Sequence, residues 1–239
     1  MSCDKSPYVS RFGHITHIRP NGVTGSDLLL LLEKEIRIEP YFRETLFWGI
    51  EMKLDYRTEL STSQKRTTKL IVGTFFLLLS KKSFEDITVR EICRASLIPH
   101  STFYNYFDDK YDVFRWAFYK TFYEYYPEMD LVMNHYDNID LAAERVCDFM
   151  DQHKGMLRKV AAHNPPNGAL YQLLKEVATE IGQILAGNCT RDKNFDFPYE
   201  VLFGTYINGF LEMFHQTFYQ GKTYSREQIR NYMRDLYDV

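Results

Sequence analysis

The sequence lacks the features that would place the chain in a membrane or cross-link it covalently. Its longest uninterrupted apolar runs are Leu28–Leu32 and Phe75–Leu79, whereas a helix that spans a bilayer needs about 20 apolar residues. The first thirty residues also lack the longer apolar stretch of a secretory signal peptide. Four cysteines occur, with no CxxC pair: Cys3, Cys93, Cys147 and Cys189. We therefore expect a cytoplasmic protein with free thiols and no membrane segment.

Motifs of catalysis and of cofactor binding are also missing. The sequence contains no GxSxG, no P-loop, no HExxH and no glycine-rich dinucleotide turn. No cysteine and histidine pairs have the spacing of zinc ligands. We expect a protein that is not an enzyme and has no cofactor. A metal-responsive sensor, with His14 and His17 near Cys3, is kept only as a third alternative.

The composition is that of a globular protein with an uneven distribution of charge. Aromatic residues make up 16% of the chain, which argues against disorder. Residues 61–120 hold ten Lys or Arg against six Asp or Glu, whereas residues 121–239 hold eleven against seventeen. A basic segment beside an acidic body is typical of a nucleic-acid reader with a separate pairing or sensing domain.

The spacing of apolar residues predicts helices over nearly all of the chain after residue 61. In the first helix, Ile71, Phe75 and Leu78 recur at intervals of three or four residues and define a buried face. No segment alternates with a period of two, so the fold class is all-α. The predicted helices are 64–79, 89–95, 100–106, 110–126, 140–152, 156–162, 169–186, 199–220 and 226–237.

Helix start signals support these boundaries. Thr88 with Glu91 and Ser225 with Gln228 have the spacing of a capping box, in which two side chains satisfy each other's backbone N–H groups. Asp109 is a third N-cap candidate. Glycine and proline interrupt residues 1–60 instead, and we expect a poorly ordered extension there, with Met52 as an alternative start. The predicted domains are this extension, a DNA-binding domain over 61–110 and a helical body over 111–239.

Two short helices joined by a tight turn, preceded by a longer amphipathic helix, form the helix-turn-helix pattern. From Thr88 the string is TVREICRASLIPHSTFYNYFDDKYDVF. It resembles the DNA-binding segment of the TetR/AcrR transcriptional regulators, strongly over residues 64–114 and more weakly to the C-terminus. Leu97 and Pro99 depart from the family pattern, which usually has Gly and Ser there. The matching positions are 88–92, Ala95, Thr102, Phe103, Tyr104, Tyr106, Phe107 and Lys110.

The resemblance implies that the second short helix lies in the major groove of operator DNA. It places DNA contacts at Thr88, Arg90, His100, Ser101, Thr102, Tyr104, Asn105, Tyr106 and Lys110. Of these, Thr102, Tyr104, Tyr106 and Lys110 suit phosphate contacts, and His100, Ser101 and Asn105 suit base edges. Lys65, Arg66 and Lys69 are further candidates for backbone contacts. The alternatives are that both tyrosines only pack and that Arg90 is a solvated charge.

The helix over 199–220 is apolar on two adjacent faces, which predicts burial on both. With the last helix, this suits a symmetric dimer interface, as the resemblance implies; an intramolecular core is the alternative. The resemblance also implies a small-molecule effector in the body, with pocket residues unknown. We expect a homodimeric TetR-type regulator that represses transcription. The alternative is a regulator of the same fold that has lost DNA binding and acts through protein partners.

Overall fold

The computed structural model describes residues 52–126, 133–187, 189–190 and 199–238. All of these residues belong to one compact unit, Gly49–Val239. The expectations for residues 1–51, including the histidines near Cys3, lie outside the described residues. The described part is all-helical, as predicted, apart from two paired residues on each of two parallel strands. In chain order the elements are α1 (Thr62–Leu79), α2 (Val89–Ser96), α3 (His100–Tyr104), α4 (Lys110–Tyr125), β1 (Met133–Asn134), α5 (His135–His163), α6 (Ala169–Gly187), β2 (Cys189–Thr190), α7 (Tyr199–Phe218) and α8 (Arg226–Asp238).

Local side-chain caps set most helix starts. α1 begins two residues before the predicted start because Ser61 and Gln64 form a capping box. The Asp109 carboxylate accepts hydrogen bonds from the backbone at the start of α4, as predicted. At the start of α8, Ser225 and Gln228 form the predicted capping box, with distances of 2.8 and 3.1 Å.

One helix replaces two that the sequence predicts. The predicted break between 140–152 and 156–162 is wrong, because α5 runs without interruption from His135 to His163. Gly155 lies inside it at a cost of about 1 kcal/mol relative to alanine. Met150 and Leu157 are buried on either side of Gly155, so the helix is packed against the body before and after the glycine. α3 is also shorter than predicted and ends at Tyr104.

The N-terminal helices share an aromatic and aliphatic core. Phe75 on α1 lies 6.2 Å from Phe84 between ring centroids, and Phe107 lies 5.8 Å from Trp116 on α4. Ile92 on α2, which lies in sequence between Phe84 and Phe107, is fully buried as well. This core fixes α2 and α3 relative to α1 and α4.

Residues 52–60, which the sequence assigns to the extension, contribute to the core. Tyr56 is buried and stacks on Tyr119 of α4 with a centroid distance of 5.1 Å. Leu60 is also buried, and the Lys53 ammonium lies 2.7 Å from the Asp108 carboxylate. The described part of this segment therefore packs against α4. The boundary at residue 61 stays a prediction.

The body is built around α5, α7 and α8. Their shared core contains Ile139, Ala143, Cys147, Leu202, Tyr206, Met213, Ile229 and Met233. α6 packs on the other side of α7, where a Cβ added at Gly182 would lie 2.5 Å from Ile207 Cγ1. α6 is tied to α4 by Arg115, whose guanidinium donates to both Glu180 oxygens at 2.8 and 2.9 Å. Within the described part of the chain, no helix has the length and apolarity needed to cross a membrane.

Candidate nucleic-acid interface

A tight turn after α2 sets the direction of α3. The Ile98 N–H donates to the Cys93 carbonyl at 3.0 Å, and the Leu97 N–H donates to the Arg94 carbonyl at 3.4 Å. This pattern of a helix C-terminus requires a left-handed residue, and Leu97 has φ 58° and ψ 32°. A left-handed conformation costs a non-glycine residue roughly 1–2 kcal/mol. The turn therefore forms with leucine where glycine would fit without strain.

α3 has one buried face and one solvent-exposed face. Phe103 within the helix and Phe107 just after it are fully buried. The exposed face carries His100, Ser101, Tyr104 and Asn105, and Thr102 and Tyr106 are half-buried beside it. Tyr104 is 47% exposed, and its ring packs edge-on against Phe103 at a centroid distance of 5.5 Å. Six of the nine predicted contact residues are thus brought together along α3 and its C-terminal end.

The start of α2 is capped by Thr88, whose Oγ1 accepts the Glu91 N–H at 3.2 Å. The Glu91 carboxylate pairs with the Lys82 ammonium rather than returning to the Thr88 N–H, so only half of the predicted capping box forms. Arg90 is exposed one residue into the helix. Thr88 and Arg90 line one shallow groove together with His100 at the start of α3. The groove therefore brings the predicted contacts of α2 beside those of α3.

Lys110, a predicted phosphate contact, lies at the start of α4 with its ammonium directed at the backbone of its own chain. Its ammonium donates to the carbonyl oxygens of Phe84, Glu85 and Ile87 at 2.7, 3.1 and 2.9 Å. These bonds use all three N–H groups of an ammonium. Burial lowers the pKa of Lys110, although the carboxylate of Glu85 opposes the shift. We therefore assign Lys110 to holding the loop between α1 and α2.

Apart from Lys110, the cations of residues 61–120 fall into two groups. Lys82 and Arg115 are in ion pairs with acidic side chains, as are Lys65 at 3.9 Å from Glu59 and Lys120 at 3.8 Å from Glu124. Five exposed cations have no ion pair with any residue in the described ranges: Arg66, Lys69, Lys81, Arg90 and Arg94. Arg94 was not among the predicted contacts, yet it lines the same groove as Arg90. Arg94 follows Arg90 by four residues, about one helical turn, so the two side chains lie on the same face of the helix. This spacing was the signal in the sequence that could have identified Arg94.

The apolar stripes that predicted a dimer face are largely buried within one chain. Leu202, Tyr206 and Met213 pack in the body core, and Phe203 and Leu211 are also buried. The exposed positions of α7 form a different stripe at 201, 205, 208 and 212. A Cβ added at Gly209 would lie 3.3 Å from Leu236 and Met233 of α8, whereas one added at Gly204 would meet nothing within 4 Å.

In the described ranges, no three His, Cys, Asp or Glu side chains lie close enough to hold a metal ion. No family model matches the chain, and no curated protein matches it. Among solved structures, the chain is similar to one described as the dihydroxyacetone kinase operon activator DhaS. The two are 14% identical with a TM-score of 0.44, and the match covers 72% of this chain and 92% of that one. A likeness at this level supports neither a family assignment nor an activity.

Proposed function

We propose that the chain is a DNA-binding transcription regulator of the TetR type, with α2 and α3 as a helix-turn-helix. The observation that carries this proposal is the exposed polar face of α3 beside the groove that holds Arg90 and Arg94. Exposed, unpaired arginines suit phosphate binding, because neutralising phosphates releases counterions. The core packing of Phe103 and Phe107 holds the opposite face of α3 in place.

The residues divide by the chemistry that they offer. Thr88, Arg90, Arg94 and Tyr104 supply hydroxyl and guanidinium donors for phosphates, which fix the register of the protein on the duplex. His100, Ser101 and Asn105 supply groups for base edges, and an asparagine amide can bond adenine with two hydrogen bonds. Thr102 and Tyr106 are half-buried beside this face and offer two further hydroxyl groups.

A palindromic operator requires two copies of α3 related by two-fold symmetry. We propose that two chains pair through the exposed stripe of α7 at positions 201, 205, 208 and 212, with the adjacent surface of α8. Val201 is 56% exposed there, and the open space at Gly204 leaves room for a second backbone. A symmetric pair would present two reading helices about 34 Å apart. Repression, with release by a small molecule bound in the body, is the proposed mode of regulation.

The second candidate is a regulator that acts through protein contact. It is favoured by the charge of α3 and its flanks, because no Lys or Arg occurs between Arg94 and Lys110, whereas Asp108 and Asp109 are both exposed. A binding helix without cations gains little from phosphates. The unpaired arginines of α2 are what favours DNA over this alternative.

Selection from random duplex DNA by the full chain, at low and high salt, tests the proposal. We expect enrichment of a palindrome at low salt and a loss of roughly 1,000-fold or more in affinity between about 50 and 200 mM salt. A folded protein that enriches no sequence would rule out the proposal and favour protein contact.

A further inference from the structure

Leu97 combines an unfavourable backbone conformation with an exposed apolar side chain. It is the only non-glycine residue with positive φ in the described part of the chain. It is also 90% exposed, whereas the other exposed large apolar residues described reach at most 56%. A glycine would make the same turn without strain and without exposing a hydrophobic side chain to water.

The packing of the described residues does not account for this leucine. The neighbouring Ser96 is buried and donates to the Ile92 carbonyl at 2.7 Å, and Ile98 is half-buried. The residues on either side therefore anchor the turn, while the Leu97 side chain extends into solvent. An outlier of this kind, where nothing in the described ranges of the chain offsets the strain, points to a contact outside them.

The surroundings of Leu97 indicate the kind of contact. It lines the same groove as Thr88, Arg90, Arg94 and His100, which are the residues proposed above to meet phosphates and bases. Glu91, Cys93, Ile98 and Pro99 line the groove as well, but Glu91 is paired with Lys82. The unpaired charges of the groove are therefore the two arginines, which suit a nucleic acid better than an apolar protein surface. In the major groove of DNA, the C5-methyl group of thymine is the apolar group that base edges present.

We propose that Leu97 contacts the C5-methyl group of a thymine in each half-site and so determines specificity at that base. This inference rests on the proposed DNA binding and adds a residue that reads sequence by apolar contact. It also explains why leucine stands at a position where glycine would be less strained.

The test uses the duplex recovered by selection, with each thymine replaced in turn by deoxyuridine, which removes only the methyl group. Binding of the full-length protein is compared with that of Leu97→Gly and Leu97→Ala. We expect one thymine in each half-site to be sensitive. Replacing either of these thymines alone weakens wild-type binding about fourfold, the value for burying one methyl group. The same replacement leaves the affinity of Leu97→Gly unchanged. Leu97→Gly is also expected to melt at a higher temperature than the wild type because the turn is relieved of strain, and this result would exclude misfolding.

Equal effects of deoxyuridine on the wild type and on Leu97→Gly would overturn the role of Leu97, as would no effect at any thymine. In both cases DNA binding itself would stand, because a duplex was selected. Failure to select any duplex would instead overturn the proposed function and this inference together. Leu97→Ala keeps the strained turn, so its loss of discrimination would assign the effect to the side chain.

Discussion

The side-chain carbonyl of Asn164 accepts the backbone N–H of Phe84 at 2.6 Å and so joins the end of α5 to the loop before α2. Its amide nitrogen donates to the carbonyls of Leu79 at 3.2 Å and Val160 at 2.9 Å. The Tyr219 hydroxyl, beyond the end of α7, donates to the Asn164 backbone carbonyl at 2.8 Å. Asn164 is 1% exposed. One buried residue therefore holds together α1, α5, the α7 end and the loop that leads to the proposed reading helices.

Replacing Asn164 with alanine is expected to lower the free energy of unfolding by about 3 kcal/mol. The Phe84 N–H and two carbonyls would lose their partners in a buried site, and each unsatisfied group costs roughly 1–3 kcal/mol. Urea unfolding measures the change. Asn167→Ala, three residues on and exposed, is the control and is expected to change stability by less than about 0.5 kcal/mol. Equal effects of the two substitutions would show that the hydrogen bonds of Asn164 contribute little.

Substitutions of Lys110 and Arg94 are expected to have different effects. The first lowers stability, and the second weakens DNA binding. Lys110→Met removes a charged donor from three backbone carbonyls and is expected to cost about 2–3 kcal/mol, with an unchanged salt dependence of DNA binding. Arg94→Gln is expected to preserve stability and to reduce that salt dependence by about one unit of slope per phosphate contact. Lys222→Gln, an exposed cation beyond α7, is the control. The reverse result for the two variants would return Lys110 to the DNA interface.

The proposed pairing face of α7 is tested by substitutions at two glycines in open space. A Cβ added at Gly204 or at Gly155 of α5 meets nothing within 4 Å, so leucine at either position should leave the monomer folded. We expect Gly204→Leu to dissociate the homodimer, because the side chain would separate the two α7 helices, and Gly155→Leu to leave it intact. Sedimentation equilibrium measures the mass. A dimer that survives Gly204→Leu would place the pairing surface elsewhere.

Glu85 couples the start of α6 to the loop before α2 in a pH-dependent way. Its carboxylate accepts the Ala169 N–H at 2.7 Å, and this hydrogen bond holds the pKa of Glu85 below its ordinary value of 4.5. Because the folded pKa is the lower one, the stabilisation is present above pH 4.5 and is lost as pH falls through the folded pKa. Glu85→Ala should therefore reduce stability at pH 7, by about 0.5 kcal/mol for an exposed cap.

The difference between the wild type and Glu85→Ala is expected to shrink as the pH is lowered below 4.5. Urea unfolding at a series of pH values measures it, with the exposed Glu144→Ala of α5 as the control. A difference that stays constant with pH would mean that the charged carboxylate does not stabilise the cap.

Local signals in the sequence predicted the helices well. Helix caps depend on residues only three positions apart. The Asp109 cap and the capping box of Ser225 and Gln228 could therefore be identified without a structure. The continuity of α5 through Gly155 could not, because it depends on packing against other helices. Thr88 and Glu91 have the spacing of a capping box, but Lys82, nine residues before Glu91, competes for its carboxylate.

The proposed interface was predicted less completely, for the same reason. The exposed face of α3 follows from helical periodicity once Phe103 and Phe107 are assigned to the core. The role of Lys110 depends on carbonyls up to 26 residues away, which no local pattern reveals. Asn164 lies in an NPPNG segment that signals a helix break, and its long-range hydrogen bonds appear only in the fold.

The central claim, that the exposed face of α3 binds DNA, is tested most directly by comparing two tyrosines. Tyr104 on α3 and Tyr111 on α4 are 47% and 43% exposed, so their replacement by alanine removes similar surface. With the duplex recovered by selection, Tyr104→Ala is expected to bind at least tenfold more weakly than the wild type and Tyr111→Ala about as tightly, both remaining folded dimers. Unchanged affinity of Tyr104→Ala would contradict the assignment of α3 as the DNA-binding helix.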